Sequence, residues 1–286
     1  MITPILIFLK KIILEPQSVT YKNSQISYYR FGNGERPVVC FHGYGETATT
    51  FSFLSKYAGI QYSFYAIDLP FHGKTIWNEG LNFSGDDLLQ IVQKILATHR
   101  SESQTPNPKP YLMGFSLGGR MVLSLYESFP EGFEKLILLA PDGLKVNFWY
   151  WLATQTWAGN RFFHFTMKHP GWFFGLLQGM NKLKLVNASI FKFVKHYIGD
   201  KQVRQLLYQR WTTFRKIKPG ISNIKTHIKQ QHTEVRLVYG IHDRIILSSV
   251  GEKFRSGIED HCYMNIIHSG HQVLHEKHAE EILESL

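Results

Sequence analysis

The chain has 286 residues, a length that suits one large α/β domain or a core with an inserted subdomain. Hydrophobic residues make up 44% of it and charged residues 19%, which excludes an intrinsically disordered chain. The net charge of +10 would suit an anionic surface, yet no basic tract resembles a nucleic-acid arm. We therefore expect a generally basic surface and no nucleic-acid partner.

The cysteine content indicates where the protein folds. Cys40 and Cys262 each lie in an apolar run that is typical of a buried strand. Two such residues do not imply a disulfide framework, and they favour a reducing compartment. The sequence therefore predicts a cytoplasmic protein, and it indicates no particular oligomeric state.

The N-terminal stretch MITPILIFLKKIILEP is apolar, but it does not have the pattern of a signal peptide. No positive region precedes the apolar residues and no small-residue cleavage site follows them. The stretch is also too short to span a bilayer. Within residues 2–14, isoleucines and leucines fall on one helical face, which predicts an amphipathic helix. Such a helix would dock on the body of the protein, on a partner subunit or peripherally on a membrane.

Strands and helices alternate along most of the chain. The predicted strands are SVTYKN, QISYYRFG, RPVVCFHG, YSFYAID, PYLMGF, KLILLAPDG, EVRLVYGIHD and HCYMNIIHSGH. Helices are predicted over 47–58, over 86–100 with Ser84 and Asp87 in a capping box, after Ser116, around 250–257 and at the C-terminus. This alternation predicts an α/β fold with a mostly parallel central sheet covered by helices on both faces.

Residues 144–221 interrupt this alternation. They are rich in Trp, Phe, Tyr, Lys and His, and they contain helical and loop patterns without strands. A structureless loop of this length would be implausible in a compact domain, so the segment predicts an inserted helical cap or lid. The predicted core then consists of residues 1–143 and 222–286.

The segment GFSLGG, residues 114–119, marks a candidate nucleophile. Glycine weakens both strands and helices, so this spacing favours a sharp turn between a strand and a helix with Ser116 at its apex. Such a turn projects the serine hydroxyl beyond the sheet edge. It also places the N–H of Leu117 at a helix N-terminus, where it can donate to an oxyanion.

Two candidate partners follow later strands. Asp243 comes after EVRLVYG, and His271 comes after MNII, so the chain order is Ser, Asp, His. Asp142 is a rival for the acid, because it follows the preceding strand. A second oxyanion donor is predicted at the N–H of Tyr44, in the loop after the strand RPVVC.

Together, FHGYG, DLPFHG, GFSLGG, GIHD and the Gly-His pair at 270–271 resemble the α/β-hydrolase superfamily. The likeness is to its serine-nucleophile, cap-containing branch and covers the chain from about residue 24 onward. It implies the α/β-hydrolase fold and hydrolysis without a metal or an organic cofactor. Two positions depart from the family pattern: Phe71 stands where relatives usually have glycine, and His278 where proline is common. Neither position belongs to the triad.

The sequence predicts hydrolysis of a carboxylic ester, or a related acyl bond, through an acyl-serine intermediate. The aromatic insertion favours a small-molecule ester with an apolar acyl portion, whose pocket would be lined by Trp149, Trp151, Trp157, Phe162 and Trp172. The insertion would move as a lid, and Lys182, Lys184, Lys192 and Lys195 would steer it toward an anionic lipid surface. Two alternatives are a carbon–carbon bond hydrolase of diketo acids and a non-catalytic, hydrolase-like binding module.

Other polar residues near these motifs have simpler interpretations. His42 and His72 are predicted to hold loop backbone, and Asp68 to anchor its own loop. His268 lies too close to the end of its strand to replace His271.

Overall fold

The computed structural model describes residues 15–57, 59–99, 108–145, 147–182 and 198–286. The predicted amphipathic segment 2–14 lies outside these residues. Lys184, Lys192 and Lys195 also lie outside them, as does the side chain of Lys182.

In the described part of the chain, eight strands form one sheet with the order β1-β2-β4-β3-β5-β6-β7-β8. The strands are β1 Gln17–Tyr21, β2 Ser24–Phe31, β3 Arg36–Phe41, β4 Tyr62–Ile67, β5 Tyr111–Phe115, β6 Lys135–Leu139, β7 Glu234–Gly240 and β8 Cys262–Ile267. Strands β3 to β8 pair in parallel, and β2 is antiparallel to both β1 and β4. The predicted mostly parallel sheet is therefore confirmed.

Helices connect and cover the strands. They are α1 Gly85–Thr98, α2 Leu117–Ser128, α3 Phe148–Gln155, α4 Trp157–Lys168, α5 Gly171–Lys182, α6 Lys201–Thr213, α7 Ile221–Gln231, α8 Ser248–Arg255 and α9 Ala279–Leu283. The predicted capping box at α1 is confirmed, because Ser84 Oγ accepts from the N–H of Asp87 and Asp87 Oδ2 accepts from the N–H of Ser84. The helix predicted over 47–58 is instead a 3₁₀ segment, Ala48–Lys56.

Alternating side chains of the buried strands supply the two faces of the sheet. On β3, Val39 and Phe41 join the apolar cluster under α1, α2 and α7. Val38 and Cys40 point the other way, into the cluster under the 3₁₀ segment and α9. The central sheet is thus covered on both faces, as parallel sheets require. Cys40 and Cys262 are both buried free thiols, and burial raises the pKa of each, that of Cys262 to about 12.

Between β6 and β7 the described residues form α3, α4, α5 and α6, without a strand. Helices α3 and α4 pack on each other and on α6. Aromatic contacts join them: the Tyr150 and Phe163 rings lie 5.4 and 5.6 Å from the Trp211 ring, centroid to centroid. Helix α7, by contrast, packs against α2 and belongs to the layer that covers the sheet.

Among the residues that the structure describes, no helix is long and apolar enough to cross a membrane.

Candidate active site

Ser116 occupies a strained turn between β5 and α2. Its φ angle is 51°, a left-handed conformation that is uncommon for a residue with a side chain. Hydrogen bonds fix this conformation: its N–H donates to Leu139 O at 3.0 Å, and its carbonyl accepts from the N–H groups of Gly119 and Asp142. A strained residue that is held from several sides is typical of a functional position.

Two glycines allow the turn to lie close to its neighbours. A Cβ atom on Gly118 would lie 1.8 Å from the carbonyl oxygen of Phe41 on β3. A Cβ atom on Gly114 would lie 2.4 Å from the carbonyl oxygen of Gly118. Both distances are far below van der Waals contact, so the sequence pattern Gly-x-Ser-x-Gly has a steric cause at this turn.

The structure brings Ser116, His271 and Asp243 together. His271 Nε2 lies 3.0 Å from Ser116 Oγ, and His271 Nδ1 lies 2.7 Å from Asp243 Oδ2. Because an ionised carboxylate can only accept hydrogen bonds, Nδ1 donates to Asp243 and Nε2 is left to accept from the serine hydroxyl. The imidazole is therefore oriented to act as a base toward Ser116.

Asp243 is itself held in place. Its carboxylate is buried, and Oδ1 accepts from the N–H groups of Ile245 and Ile246 at 2.7 and 3.0 Å. The loop after β7 thus positions the acid, while the loop after β8 positions His271. The His271 ring also packs on Phe115, with 5.4 Å between ring centroids.

The rival residues are engaged elsewhere. Asp142 forms an ion pair with Arg120, and its Oδ1 accepts from the N–H of Gly143. The Arg120 guanidinium also lies over the Tyr150 ring, so this pair joins α2 to the insertion. His268 Nε2 lies 3.4 Å from a ring nitrogen of His242.

The two predicted oxyanion donors follow neighbouring strands. Phe41 at the end of β3 pairs with Gly114 on β5, so the loop carrying Tyr44 and the turn carrying Leu117 open at the same edge of the sheet. Leu117 is the first residue of α2, where N–H groups have no acceptor within the helix. Their role toward an oxyanion stays a prediction.

Glu46 fixes the loop that carries Tyr44, and sequence reasoning missed it. Its Oε2 accepts from the N–H of Gly43 at 3.2 Å, and its Oε1 accepts from Gln272 Nε2 at 2.9 Å. One carboxylate therefore ties this loop to the residue next to His271. The only signal in the sequence was its place just after FHGYG.

Three buried polar side chains hold the backbone next to this loop, those of His42, His72 and Asp68. His42 Nε2 accepts from the N–H of Leu69, and His72 Nδ1 bonds the carbonyl of Pro70. Asp68 accepts from the N–H groups of Ala48 and Lys74. Burial lowers the pKa of His42 to about 4 and that of His72 well below its ordinary value, so both rings are neutral at pH 7.

Phe71 adopts the conformation that explains why glycine is usual at its position. Its φ angle is 62°, in the left-handed region. Arg210 on α6 donates to the Phe71 carbonyl from Nε and Nη2, at 3.0 and 2.9 Å, and its guanidinium lies over the Tyr44 ring. This contact between the insertion and the core was not predicted, because the sequence does not indicate which arginine faces inward.

A cavity of about 590 Å³ lies between α4 and α6 of the insertion and the core loop that contains Phe71 and Trp77. Its lining mixes apolar and basic side chains, among them Leu81, Met167 and Lys201. Neither Ser116 nor His271 is among the residues that line it.

The five aromatic residues predicted to line an acyl pocket do not line this cavity. Trp149, Trp151, Trp157, Phe162 and Trp172 are all exposed, Trp157 to 79%. The sequence pattern showed that the insertion is aromatic, but not which way its rings face. Their role in a pocket stays a prediction, and at these exposures it requires the insertion to move.

A protein-family model described as "Serine aminopeptidase, S33" matches residues 33–278, most of the chain. The chain belongs to this family of α/β hydrolases. The predicted superfamily is therefore confirmed, and the protein is an enzyme of the hydrolase class.

Individual relatives of this S33 hydrolase are more distant. The uncharacterized hydrolase YugF of Bacillus subtilis is 23% identical over 263 residues, which cover 90% of this chain and 92% of YugF. A pimeloyl-[acyl-carrier protein] methyl ester esterase of Aeromonas salmonicida is 28% identical over 134 residues, 47% of this chain and 46% of the esterase. Among solved structures, a probable hydrolytic enzyme of Pseudomonas aeruginosa has a TM-score of 0.64 at 16% identity, covering 96% of this chain and 94% of that one.

Proposed function

We propose that this hydrolase cleaves a carboxylic ester through an acyl-serine intermediate, with Ser116 as the nucleophile. The proposal rests on the distance of 3.0 Å between Ser116 Oγ and His271 Nε2, which is the reach of a nucleophile and its base. Its second support is the buried Asp243 carboxylate at 2.7 Å from the other ring nitrogen. The esterase relative is consistent with an ester substrate.

In the first half of the reaction, Ser116 Oγ attacks the ester carbonyl carbon while His271 Nε2 accepts the hydroxyl proton. The carbonyl π electrons move to oxygen and form a tetrahedral oxyanion. When the oxyanion collapses, the bond to the alcohol breaks, and His271 returns its proton to the departing oxygen. The acyl group is then esterified to Ser116.

In the second half, water replaces the alcohol. His271 Nε2 accepts one proton from the water as its oxygen attacks the acyl carbon. Collapse of this second oxyanion breaks the bond to Ser116, and the proton returns to Ser116 Oγ. Asp243 keeps Nδ1 protonated and stabilises the imidazolium in both halves.

The N–H groups of Leu117 and Tyr44 are the proposed donors to both oxyanions. Leu117 is the first residue of α2, so its N–H lies at the helix N-terminus, where the helix dipole also favours negative charge. In serine hydrolases, one such donor changes the turnover by roughly two to three powers of ten.

An acyl chain is the proposed occupant of the cavity between the insertion and the core. Its volume of about 590 Å³ lies in the usual range for small-molecule sites. Phe71 lines it, and the Phe71 carbonyl is held by the same Arg210 that covers the Tyr44 ring. The cavity and the proposed oxyanion loop thus share one contact with the insertion, which lets a movement of the insertion affect both.

Ser116→Ala tests the proposal. We expect turnover of p-nitrophenyl butyrate to fall by about three powers of ten or more, since only binding and the oxyanion donors remain. Ser128→Ala, at the far end of the same helix, is the matched control and should retain activity. Retention of more than about a tenth of wild-type turnover by Ser116→Ala would contradict the assignment, because one oxyanion donor alone is worth more.

A fluorophosphonate probe separates the alternatives. Labelling of this protein at Ser116 without cleavage of any ester would favour the alternative function, a carbon–carbon bond hydrolase of diketo acids. A protein that is neither labelled nor active would favour the non-catalytic binding module.

A further inference from the structure

Helices α3, α4 and α5 expose a set of large aromatic side chains to solvent. We call this set the outer aromatic face: Phe148, Trp149, Trp151, Trp157, Phe162, Phe165 and Trp172. Trp149 is 70% exposed and Phe148 is 61% exposed. On the same helices, Tyr150 and Phe163 contact Trp211 of α6, so the insertion already has an internal aromatic layer.

Five of the seven rings of the outer aromatic face lie against another ring of the set, in two clusters. The Phe148 ring is 5.4 Å from that of Trp149 and 6.0 Å from that of Trp151, centroid to centroid. On the next two helices, the Phe162 and Trp172 rings are 5.1 Å apart. Seven large aromatic side chains exposed on three neighbouring helices are unusual on a soluble monomer, and such exposed apolar patches mark sites of interaction with a protein or a membrane.

The charge of the molecule is concentrated in the same insertion. Residues 144–221 contain 13 of the 32 lysines and arginines, and Asp200 is their only acidic residue. The insertion therefore has a net charge of +12, and the remainder of the chain has a net charge of −2. On the face itself, the Arg161 guanidinium lies 5.6 Å from the Trp157 ring centroid. Lys145, just before α3, is also exposed.

We propose that the outer aromatic face docks on the surface of a bilayer that contains anionic phospholipid. Tryptophan and phenylalanine rings partition to the boundary between headgroups and acyl chains, where apolar rings and polar edges are both accommodated. Lysine and arginine around them pair with lipid phosphates. An insertion without acidic residues between Gly143 and Gly199 has no charge that would oppose this orientation.

Brominated phosphatidylglycerol in phosphatidylcholine vesicles tests the docking directly. Bromine quenches only tryptophans that reach the acyl chains, and four of the six tryptophans lie on the outer aromatic face. We expect quenching and co-sedimentation with these vesicles at low salt, weaker binding at high salt, and much weaker binding to phosphatidylcholine alone.

Variants locate the docking surface. The full-length double variant Trp149→Ala, Trp157→Ala should bind the anionic vesicles at least tenfold more weakly, with its melting temperature nearly unchanged because both rings are exposed. Ile60→Ala is the matched control, since Ile60 is 89% exposed on the core, and its affinity should equal that of the wild type.

Three outcomes would overturn the proposal. One is the absence of quenching by the brominated anionic vesicles. Another is unchanged affinity of the double tryptophan variant combined with lost binding in Leu6→Glu, Leu9→Glu, which would assign docking to residues 2–14. A third is a dimer in sedimentation velocity that the tryptophan changes dissolve, without vesicle binding, which would assign the face to a second copy of the chain.

Discussion

Phe115 on β5 is 2% exposed and lies against the His271 ring, whereas Trp157 on α4 is 79% exposed and lies against a single arginine. The core uses its aromatic residues to support the polar groups of the candidate site. The insertion exposes half of its described aromatic residues, and its sequence carries the excess positive charge of the chain. We therefore expect the core of this S33 hydrolase to supply the chemistry and the insertion to supply the docking surface.

The turn around Ser116 and helix α5 of the insertion also differ in how closely the backbone is packed. At Gly118 a methyl group would overlap the Phe41 carbonyl, whereas at Gly175 and Gly179 on α5 a methyl group would meet open space. Changes in this turn should therefore alter activity steeply. Changes in α5 should alter it gradually or act on binding.

The largest expected effect is on kcat, and it distinguishes Asp243 from Asp142 as the acid that orients His271. Asp243→Asn should reduce kcat by about 10⁴, because the amide stabilises the wrong imidazole tautomer. Asp142→Asn should change kcat much less, since Asp142 pairs with Arg120 rather than with His271. Steady-state kinetics on p-nitrophenyl butyrate measures both. A large loss in Asp142→Asn with little loss in Asp243→Asn would reassign the acid to the strand before the insertion.

Gly118→Ala should destabilise the folded protein by about 1–3 kcal/mol or more and abolish activity, because the added methyl forces the turn at Ser116 away from β3. Gly175→Ala is the matched change in the insertion. It should stabilise α5 by up to about 1 kcal/mol, since alanine is the better helix former and nothing obstructs it. Denaturant unfolding measures the free energy of unfolding of both variants. Equal effects of the two changes would remove the contrast between the turn and α5.

The site residues that could be predicted are those whose signal lies in neighbouring residues of the sequence. Ser116 could be found because the glycines of its turn are close to it in sequence. Asp243 and His271 could be found because each lies in the loop that follows a parallel strand. Parallel strands bring their carboxyl ends to one edge, so three local signals predicted one cluster. The capping box at Ser84 was predictable for the same reason.

The parts that were missed depend on which way a helix faces. The contact from Arg210 to Phe71 and the exposure of the insertion's tryptophans follow from the rotation of α3, α4 and α6 about their axes. Composition alone does not fix that rotation, because the helices are aromatic on both sides. The prediction of an α-helix at 47–58 was wrong, since the segment is a 3₁₀ helix. At its start, the N–H of Ala48 donates to the Asp68 carboxylate, which lies 20 residues further along the chain.

Arg210→Lys tests the contact that joins the two regions. Lysine keeps the charge but cannot donate the paired hydrogen bonds to Phe71 O, so we expect kcat/KM to fall roughly tenfold. Arg215→Lys is the control, since the Arg215 guanidinium donates to the carbonyl of Thr212 at the end of α6, within the insertion. A wild-type kcat/KM in Arg210→Lys would show that the insertion does not act through this contact.

Neutral buried histidines predict a pH dependence of stability in the core. His42 and His72 have lowered pKa values when folded, so the unfolded chain binds more protons below pH about 6.5. Stability is thus fully present above that pH and is lost as pH falls toward about 4. His72→Asn keeps a donor for Pro70 O and should reduce this slope by about 1.4 kcal/mol per pH unit, whereas exposed His232→Asn should not. An unchanged dependence of stability on pH in His72→Asn would contradict the lowered pKa of His72.

Peptide mapping after reaction with a fluorophosphonate tests most directly the claim that the core supplies the chemistry. We expect a single phosphonyl adduct on the peptide containing Ser116, absent in Ser116→Ala and formed far more slowly in His271→Ala. An adduct on another residue, or labelling of Ser116 at an unchanged rate in His271→Ala, would contradict it.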